Sequence, residues 1–311
     1  MQNLNVKKPD RLSALISRFH VQARVRSFVP KSIALQTVAD IEMDKEDDAN
    51  FFIAHLGQLS PQIKKEIKGH VTVSGATASG KEFEGLRDDV PLLVFYPRGV
   101  PSEEPRRANI HKDDPADGPV PEGYVCAAVD TGGVANPIAL ALPDLVVVRL
   151  DQSKPLQAVT NMLMEEANAP RCGGQAVIDR LCEIVVIRLL RHLIEAGQAE
   201  VGLLAGLAHP NLAMAIVAIH DNPERNFHLE DLAEIAAMSR THFVNSFRKS
   251  VGVTPGQYLS NWRLTLARME IAKGTPLKAI ARRIGFSSPA ALSRAFSRHY
   301  GISPREVLAQ R

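Results

Sequence analysis

The hydrophobic positions of residues 229–311 repeat in two copies of one pattern. Each copy has apolar residues at helical spacing, then a short polar turn, then a second apolar stripe. Phe243 and Phe247 mark the second stripe of the first copy, and Leu292 and Phe296 mark that of the second. The copies are offset by 48 residues before the turn and by 49 after it. Each copy therefore predicts a helix, a tight turn and a second helix.

Residues with strong capping chemistry bound each second helix. Ser239 and Ser288 are expected N-caps, and Pro289 suits the first helical position, where its missing N–H leaves no hydrogen bond unmade. Gly252 and Gly301 are expected to end the same two helices. Both copies thus carry their own start and stop signals.

A further helix is predicted after each copy, because both copies are followed by a capping box with proline at the first helical position. The residues are Thr254-Pro255 with Gln257, and Ser303-Pro304 with Glu306. The first of these helices, over residues 255–273, would join the two copies. Trp262 lies on its apolar side and is expected to be a core anchor.

A helix, a turn of three or four residues and a helix form the helix-turn-helix unit, whose second helix enters the major groove of DNA. The charge distribution agrees with this interpretation. Residues 209–311 contain 14 Lys and Arg and 7 Asp and Glu, a net charge of +7, whereas the whole chain has +3. Basic charge is therefore concentrated where a phosphate-binding module needs it.

The duplicated pattern resembles the DNA-binding domain of the AraC/XylS family of bacterial transcription regulators. The matching segments are Met-Ser-x-x-His-Phe, Gly-Val-Thr-Pro-Gly-Gln-Tyr, Ile-Gly-Phe-Ser-Ser and Tyr-Gly-Ile-Ser-Pro. One departure is Ala237, at the turn position where the family usually has glycine and the second copy has Gly285. If that position needs a positive φ, alanine is mildly strained there. The resemblance implies a dimeric, cytoplasmic transcription activator with double-stranded DNA and RNA polymerase as partners.

Base-reading side chains are expected on the first two turns of each second helix, on the side opposite the apolar stripe. In the first copy these are Thr241, Val244 and Asn245. Asn245 can pair with adenine, and the other two can contact thymine methyl groups. Four basic residues are expected phosphate contacts: Arg240, Arg248, Lys249 and Arg298. The alternative is that both faces are ordinary solvated helix surfaces.

The corresponding positions of the second copy are Pro289, Ala290, Ser293 and Arg294. Arg294 is the strong hydrogen-bonding reader of this set, and guanine is its natural target. The base-reading positions of the family fall on the same sites in both copies. We expect more direct readout from the first copy, with the second relying on DNA shape and phosphate contacts.

The N-terminal part predicts a different architecture, which makes the fold class α+β. Candidate strands cover residues 32–40, 51–58, 70–74, 92–96, 124–129 and 145–150, and residues 97–123 form a proline-rich loop. Many short strands are typical of a barrel or sandwich. Residues 124–148 resemble the cupin-type sensor subgroup of the family, which implies a cupin-like β-barrel.

A short amphipathic helix is predicted within residues 10–28, before the strands. After the strands, the hydrophobic pattern becomes helical from residue 155. Leu156, Val159, Met162 and Leu163 share one face, and Val177, Ile178, Leu181, Val185, Leu189 and Leu193 make a helix of residues 174–197 strongly apolar. Helices after the barrel mediate dimerisation in the family, so a homodimer is expected. We place a sensor and dimerisation domain at residues 1–205 (β part about 29–150, helices about 155–197), a linker at 195–209 and the DNA-binding domain at 209–311.

Other chemistry is less well supported by the sequence. Three cysteines, Cys126, Cys172 and Cys182, indicate a reducing compartment rather than a disulfide scaffold. Cupin-sensor relatives include oxidant sensors, so Cys172 and Cys182 are redox candidates, although structural cysteine is the commoner outcome. His55 and His70 lack metal-ligand spacing, and catalytic motifs, nucleotide-binding loops and long apolar runs are missing from the sequence. We therefore expect no enzyme activity, cofactor, metal or membrane span.

Two hypotheses stay open for the N-terminal domain. A small-molecule effector could bind one dimer arrangement better than another and so change how the DNA-binding domains are spaced. Alternatively, the domain is an interaction module through which a protein partner gates the same DNA-binding domain.

Overall fold

The chain folds into two compact units in a computed structural model. One unit comprises Met1–Arg18 with Gly197–Arg311, and the other comprises Phe19–Ala196. The structure describes residues 10–13, 15–16, 51–57, 91–97, 125–130, 137–142, 146–169, 171–197 and 201–309.

The unit that ends at Ala196 contains a four-stranded antiparallel sheet. Its strands are β1 (Phe51–Gly57), β2 (Leu92–Tyr96), β3 (Val125–Asp130) and β4 (Val146–Arg149), in the order β3-β1-β2-β4. Four of the six predicted strands are confirmed within one or two residues. The strands predicted at 32–40 and 70–74, and all but Pro97 of the predicted loop, lie outside the described residues. The closed barrel therefore stays a prediction.

Among the described residues of this unit, three α-helices accompany the sheet: α1 (Pro137–Ala141), α2 (Lys154–Asn168) and α3 (Gly174–Ala196). The last two confirm the predicted helices, whereas α1 is too short to give a periodic signal. Their buried faces differ from prediction, since Met162 is 58% exposed and Val177 is 43% exposed. In α2 the buried stripe centres on Leu156 and takes in Thr160 instead of Met162. In α3 it lies on the side of Leu181 and Val185, away from Val177.

The regular secondary structure of the second unit is entirely helical within its described residues. Its helices are α4 (Leu203–Ala208), α5 (Pro210–Asp221), α6 (Leu229–Ile235), α7 (Arg240–Val251), α8 (Pro255–Ala272), α9 (Leu277–Arg283), α10 (Pro289–Tyr300) and α11 (Pro304–Ala309). The pairs α6–α7 and α9–α10 are the two predicted helix-turn-helix units, and α8 joins them.

The predicted caps form as the sequence indicates. The Ser239 hydroxyl accepts a hydrogen bond from the backbone N–H of His242 (3.4 Å), and the Ser288 hydroxyl accepts one from Ala291 (3.1 Å). Gly252 ends α7 with φ of +86°. Gly301 ends α10 with φ of +73°. Helices α7 and α10 therefore each have a fixed start and a fixed length of 12 residues.

The predicted linker is wrong over residues 203–208, which form α4 in the C-terminal unit. Leu204 and Leu207 are buried, and the Gly202 N–H donates to the Ser250 carbonyl (2.9 Å). Gly206 allows close packing, because an added Cβ would lie 2.5 Å from Ile216 Cδ1. A helix of under two turns with a glycine inside it gives too little periodicity to be recognised.

The N-terminal segment also belongs to this unit. An Arg11 Nη1 hydrogen donates to the Leu207 carbonyl oxygen at 2.8 Å, across 196 residues of sequence. Leu12 and Leu15 are buried, and the Asp10 carboxylate caps the turn by accepting from the Ser13 N–H (3.0 Å). Most of the amphipathic helix predicted within residues 10–28 lies outside the described residues, and its first described residues add to the core of the C-terminal unit.

An aromatic cluster links α5 to α8. The His220 imidazole stacks on the Trp262 indole, with ring centroids 3.9 Å apart, and its Nε2 lies 2.7 Å from the Tyr258 hydroxyl. Burial raises the pKa of Tyr258 well above its usual range. Trp262 is 4% exposed, which confirms its predicted place in the core.

The turns inside the two helix-turn-helix units use the same left-handed backbone conformation. Ala237 has φ of +50° and Gly285 has φ of +82°. Ala237 is the one non-glycine residue with positive φ among those the structure describes. Beside Gly285, the Arg263 guanidinium donates to the Pro223 (2.6 Å) and Arg225 (3.0 Å) carbonyl oxygens. The strain expected at Ala237 is therefore present, and Gly285 lies in a crowded turn.

Candidate nucleic-acid interface

Helix α7 places its aromatic residues inside and its polar residues outside. Phe243 and Phe247 are fully buried, with ring centroids 5.5 Å apart. Thr241 and Asn245 are exposed on the opposite side, and Val244 is half-buried at its edge. Arg248 and Lys249 are exposed one turn further along. The predicted readers of the first copy thus lie within one outward surface of the first two turns.

Helix α10 has the same construction. Leu292 and Phe296 are fully buried. The outward side carries Pro289, Ala290, Arg294 and Arg298, all exposed, with Ser293 half-buried. Arg294 occupies the position that Asn245 holds in α7, and Ala290 occupies that of Thr241. The second surface therefore has one strong hydrogen-bonding group where the first has two polar side chains.

Two further basic residues of this unit, Arg240 and Arg263, have partners within the protein. Arg240, predicted as a phosphate contact, lies 3.2 Å from the Glu230 carboxylate. Since both side chains are largely exposed, this pair contributes only about 0–1 kcal/mol and is easily exchanged for a phosphate. Arg263 is half-buried and its pKa is lowered by desolvation. Because its N–H groups donate to the backbone carbonyl oxygens of Pro223 and Arg225, Arg263 stabilises the fold.

Two basic residues on α9 were missed by the sequence analysis. Lys278 and Arg282 are exposed four residues apart, on one side of this helix. The signal was available in an alignment of the two copies, because the offset of 48 residues pairs them with Glu230 and Glu234.

The candidate redox cysteines differ in environment. Cys182 is buried in α3, and burial, with the negative charges of Asp179 and Glu183, raises the pKa of its thiol to about 12. Cys172 is exposed just before the same helix. A thiol with so high a pKa is a poor nucleophile near neutral pH. Cys182 is therefore suited to packing rather than to oxidation chemistry.

Within the described part of the chain, no group of three or more His, Cys, Asp and Glu side chains could hold a metal ion. None of the described helices is both long enough and apolar enough to cross a membrane.

Comparison with protein families finds two domains in the chain. A helix-turn-helix domain family matches residues 232–310, and a cupin family matches residues 67–195. An uncharacterised helix-turn-helix transcriptional regulator of Haemophilus influenzae is 30% identical over 170 residues, which are 54% of this chain and 57% of that protein. An AraC-like transcription regulator of Streptomyces lividans, described as putative, is 35% identical over 167 residues, 52% of this chain and 55% of that protein.

The chain is thus similar to AraC-like transcription regulators. It combines an AraC-type helix-turn-helix domain with a cupin domain that precedes it in the sequence. The matches span only a little over half the length of the two relatives. A solved AraC-type DNA-binding domain protein from Chromobacterium violaceum is 29% identical, with a TM-score of 0.31, and covers 32% of this chain and 91% of its own.

Within the AraC-type domain, the outward surfaces of α7 and α10 are the candidate DNA interface. Their side chains offer an amide, a guanidinium and hydroxyl groups for base edges, with guanidinium and ammonium groups for phosphates. The candidate DNA interface lies in the AraC-type domain, outside the residues that the cupin family matches.

Proposed function

We propose that this AraC-like protein is a sequence-specific regulator of transcription that binds double-stranded DNA in the cytoplasm through residues 209–311. The observation that carries the proposal is the paired construction of α7 and α10. Each buries an apolar stripe, Phe243 and Phe247 in α7 and Leu292 and Phe296 in α10, and exposes polar residues on its first two turns. A surface of that kind fits the major groove, where an α-helix can be accommodated and base edges are distinguishable.

The proposed division of labour follows the side chains available. Asn245 reads adenine through paired hydrogen bonds, and Thr241 and Val244 contact thymine methyl groups. Arg294 reads guanine, and Ser293 can bond to either kind of base. Pro289 and Ala290 supply apolar contact alone. The first unit therefore contributes more of the direct readout.

The helix between the units sets their separation. Helix α8 has 18 residues, and at ~1.5 Å per residue it is about 27 Å long. Successive major grooves on one side of B-DNA are about 34 Å apart. The helix is shorter than this separation. A bend of the DNA toward the protein would bring the two grooves close enough for both reading helices to enter them, and other DNA-binding proteins deform their sites in this way.

Selection of bound duplexes from a random pool by the full-length protein, followed by footprinting, tests this function. Two short conserved blocks with centres about 10 base pairs apart are expected, each block matching one reading helix. Binding that enriches no sequence over the starting pool would contradict the proposal.

Loss of Arg294 should relax specificity at one position. Arg294→Ala is expected to cost about 1–3 kcal/mol against the selected duplex and to make one base pair tolerant of substitution. Arg248→Ala, as a matched control on α7, should weaken all duplexes alike and reduce the salt slope by about one. Fluorescence anisotropy titrations on selected and random duplexes measure both. Equal losses on the two duplexes for Arg294→Ala would remove its reading role.

We propose further that the protein is a homodimer. The exposed apolar side chains Met162, Val177 and Ile184 on α2 and α3 support this, since Val177 and Ile184 share one face at a spacing of seven residues. Sedimentation of the full chain at micromolar concentration tests it, and a monomer at all concentrations would contradict it.

For control of the activity we propose a small-molecule effector that binds the N-terminal domain, shifts the population of dimer arrangements and changes contact with RNA polymerase. The alternative is a protein partner that binds the same domain. Thermal-shift screening separates the two, because a saturable small ligand supports the first. Co-purification of a protein without any such ligand supports the second.

A cysteine switch is the weakest candidate for control. The raised pKa of Cys182 disfavours it as a thiolate at neutral pH. Cys172, being exposed, is the residue through which oxidation would proceed, for example by a bridge between subunits.

A further inference from the structure

The first helices of the two helix-turn-helix units carry opposite charges at equivalent positions. Helix α6 exposes Glu230 and Glu234, and 48 residues later α9 exposes Lys278 and Arg282. Both helices bury the same kind of apolar inner face against the unit. The difference is therefore confined to the solvent side, and packing does not account for it.

An ion pair shows which way this charged side faces. The Glu230 carboxylate lies 3.2 Å from the guanidinium of Arg240, the first residue of α7. The side of α6 that carries Glu230 therefore adjoins the N-terminal end of the reading helix, which is the end that contacts base edges in helix-turn-helix proteins. By the repeat, Lys278 and Arg282 adjoin the same end of α10, where Pro289 takes the place of Arg240.

Within the described residues, neither Lys278 nor Arg282 forms an ion pair or a side-chain hydrogen bond. Glu270 contacts α9 through Arg283 instead, at 3.0 Å, on the other side of the helix. Lys278 is also the second residue of α9, where the helix dipole disfavours a cation. Its charge therefore slightly destabilises the isolated helix, and helix stability does not explain its presence.

We infer that Lys278 and Arg282 form a phosphate-binding surface that holds the duplex backbone beside the groove entered by α10. The inference rests on the proposed DNA-binding function and assigns its second unit a distinct role. The second unit thus adds anchoring to DNA of any sequence. In the first unit the acids Glu230 and Glu234 leave phosphate contact to α7, and the readers of that helix select the sequence. Helix α10 has a single strong reader, Arg294. The positive charges on the neighbouring α9 add binding that this one reader does not provide.

The double variant Lys278→Gln/Arg282→Gln tests the surface in the full-length protein. Glutamine keeps helix propensity and removes both charges. Two lost phosphate contacts should lower the slope of log K against log salt by about 1.8 and weaken binding about 60-fold at 0.1 M monovalent salt. The loss should be the same on the selected duplex and on a random duplex, so that the ratio of the two affinities is unchanged.

Arg283→Gln is the matched control, since Arg283 lies on the same helix and is exposed but faces Glu270. It should leave the salt slope unchanged. The reciprocal variant Glu230→Lys/Glu234→Arg gives the first unit the charges of the second, and should steepen the slope and strengthen binding to random DNA. Far-UV circular dichroism and the fluorescence of Trp262 verify that each variant is folded.

A wild-type salt slope in the folded double variant, or an equal drop in the Arg283→Gln control, would overturn the assignment. The outcome is distinct from failure of the proposed function. If selection enriches no sequence but the double variant still loses slope on random DNA, the anchor stands and sequence reading fails. If selection succeeds and the slope is unaffected, sequence reading stands and the anchor fails.

Discussion

Replacing Gly285 with alanine is expected to lower the free energy of unfolding of the C-terminal unit by about 2–4 kcal/mol. An L-residue in the left-handed region costs about 1–2 kcal/mol, and overpacking adds about 1–3 kcal/mol. Both effects apply here, because φ is +82° and the new Cβ would lie 2.7 Å from the Glu224 carbonyl oxygen and 2.6 Å from Arg263 Nη2. The smaller conformational entropy of unfolded alanine returns about 0.4–1 kcal/mol.

Urea denaturation followed by tryptophan fluorescence measures this change in the full chain, because Trp262 is the only tryptophan and reports on the C-terminal unit alone. Ala237→Gly is the matched control at the equivalent turn. It relieves the left-handed strain but adds unfolded-state entropy, so stabilisation by up to about 1 kcal/mol is expected. Opposite signs for the two variants are the diagnostic result. A Gly285→Ala protein as stable as wild type would show that the turn can relax.

Replacing Trp262 with alanine is expected to cost about 3–5 kcal/mol, which is typical for removing a buried aromatic side chain. The indole is 4% exposed and stacks on the fully buried His220. Its removal leaves a cavity that cannot collapse easily, since α5 and α8 are each fixed by caps and further packing. Hydrogen exchange resolved by peptide, over residues 210–221 and 255–272, measures the loss without relying on tryptophan fluorescence.

Trp262→Phe separates packing from any role in DNA contact. Phenylalanine retains a ring against His220, so the loss should be less than half that of alanine, and binding to the selected duplex should stay near wild type. A phenylalanine variant that folds normally but no longer binds DNA would place Trp262 in the interface and contradict the assignment to the core.

Features determined by neighbours in sequence were predictable for this chain. The caps Ser239 and Ser288, the terminating glycines and the apolar stripes of α7 and α10 act over one or two helical turns, and the structure confirms them. The positive φ of Ala237 was predictable for a different reason, since the repeat aligns it with Gly285. The outward positions of the readers follow directly from the buried stripe, although their contacts with DNA stay a prediction.

Features that depend on distant residues were not predictable. The strands of the sheet were located, but the order β3-β1-β2-β4 depends on pairing between strands far apart in the sequence, which no local pattern encodes. Met162 and Val177 fit the apolar pattern of a core face, but both are exposed, and only the position of the neighbouring helix shows this. The hydrogen bond from Arg11 to Leu207 joins residues that are too far apart in the sequence for a hydrophobic periodicity to predict it.

The packing of the N-terminal segment against the C-terminal unit affects how the protein responds to proteolysis and truncation. The chain leaves the DNA-binding unit after Arg18 and returns at Gly197, so the intervening stretch is an insertion tied to that unit at both ends. A single proteolytic nick in the insertion would leave the N-terminal peptide bound through Arg11, Leu12 and Leu15. A DNA-binding fragment begun at Gly197 would start with an uncovered apolar surface, and a peptide of residues 10–16 added in trans should cover it.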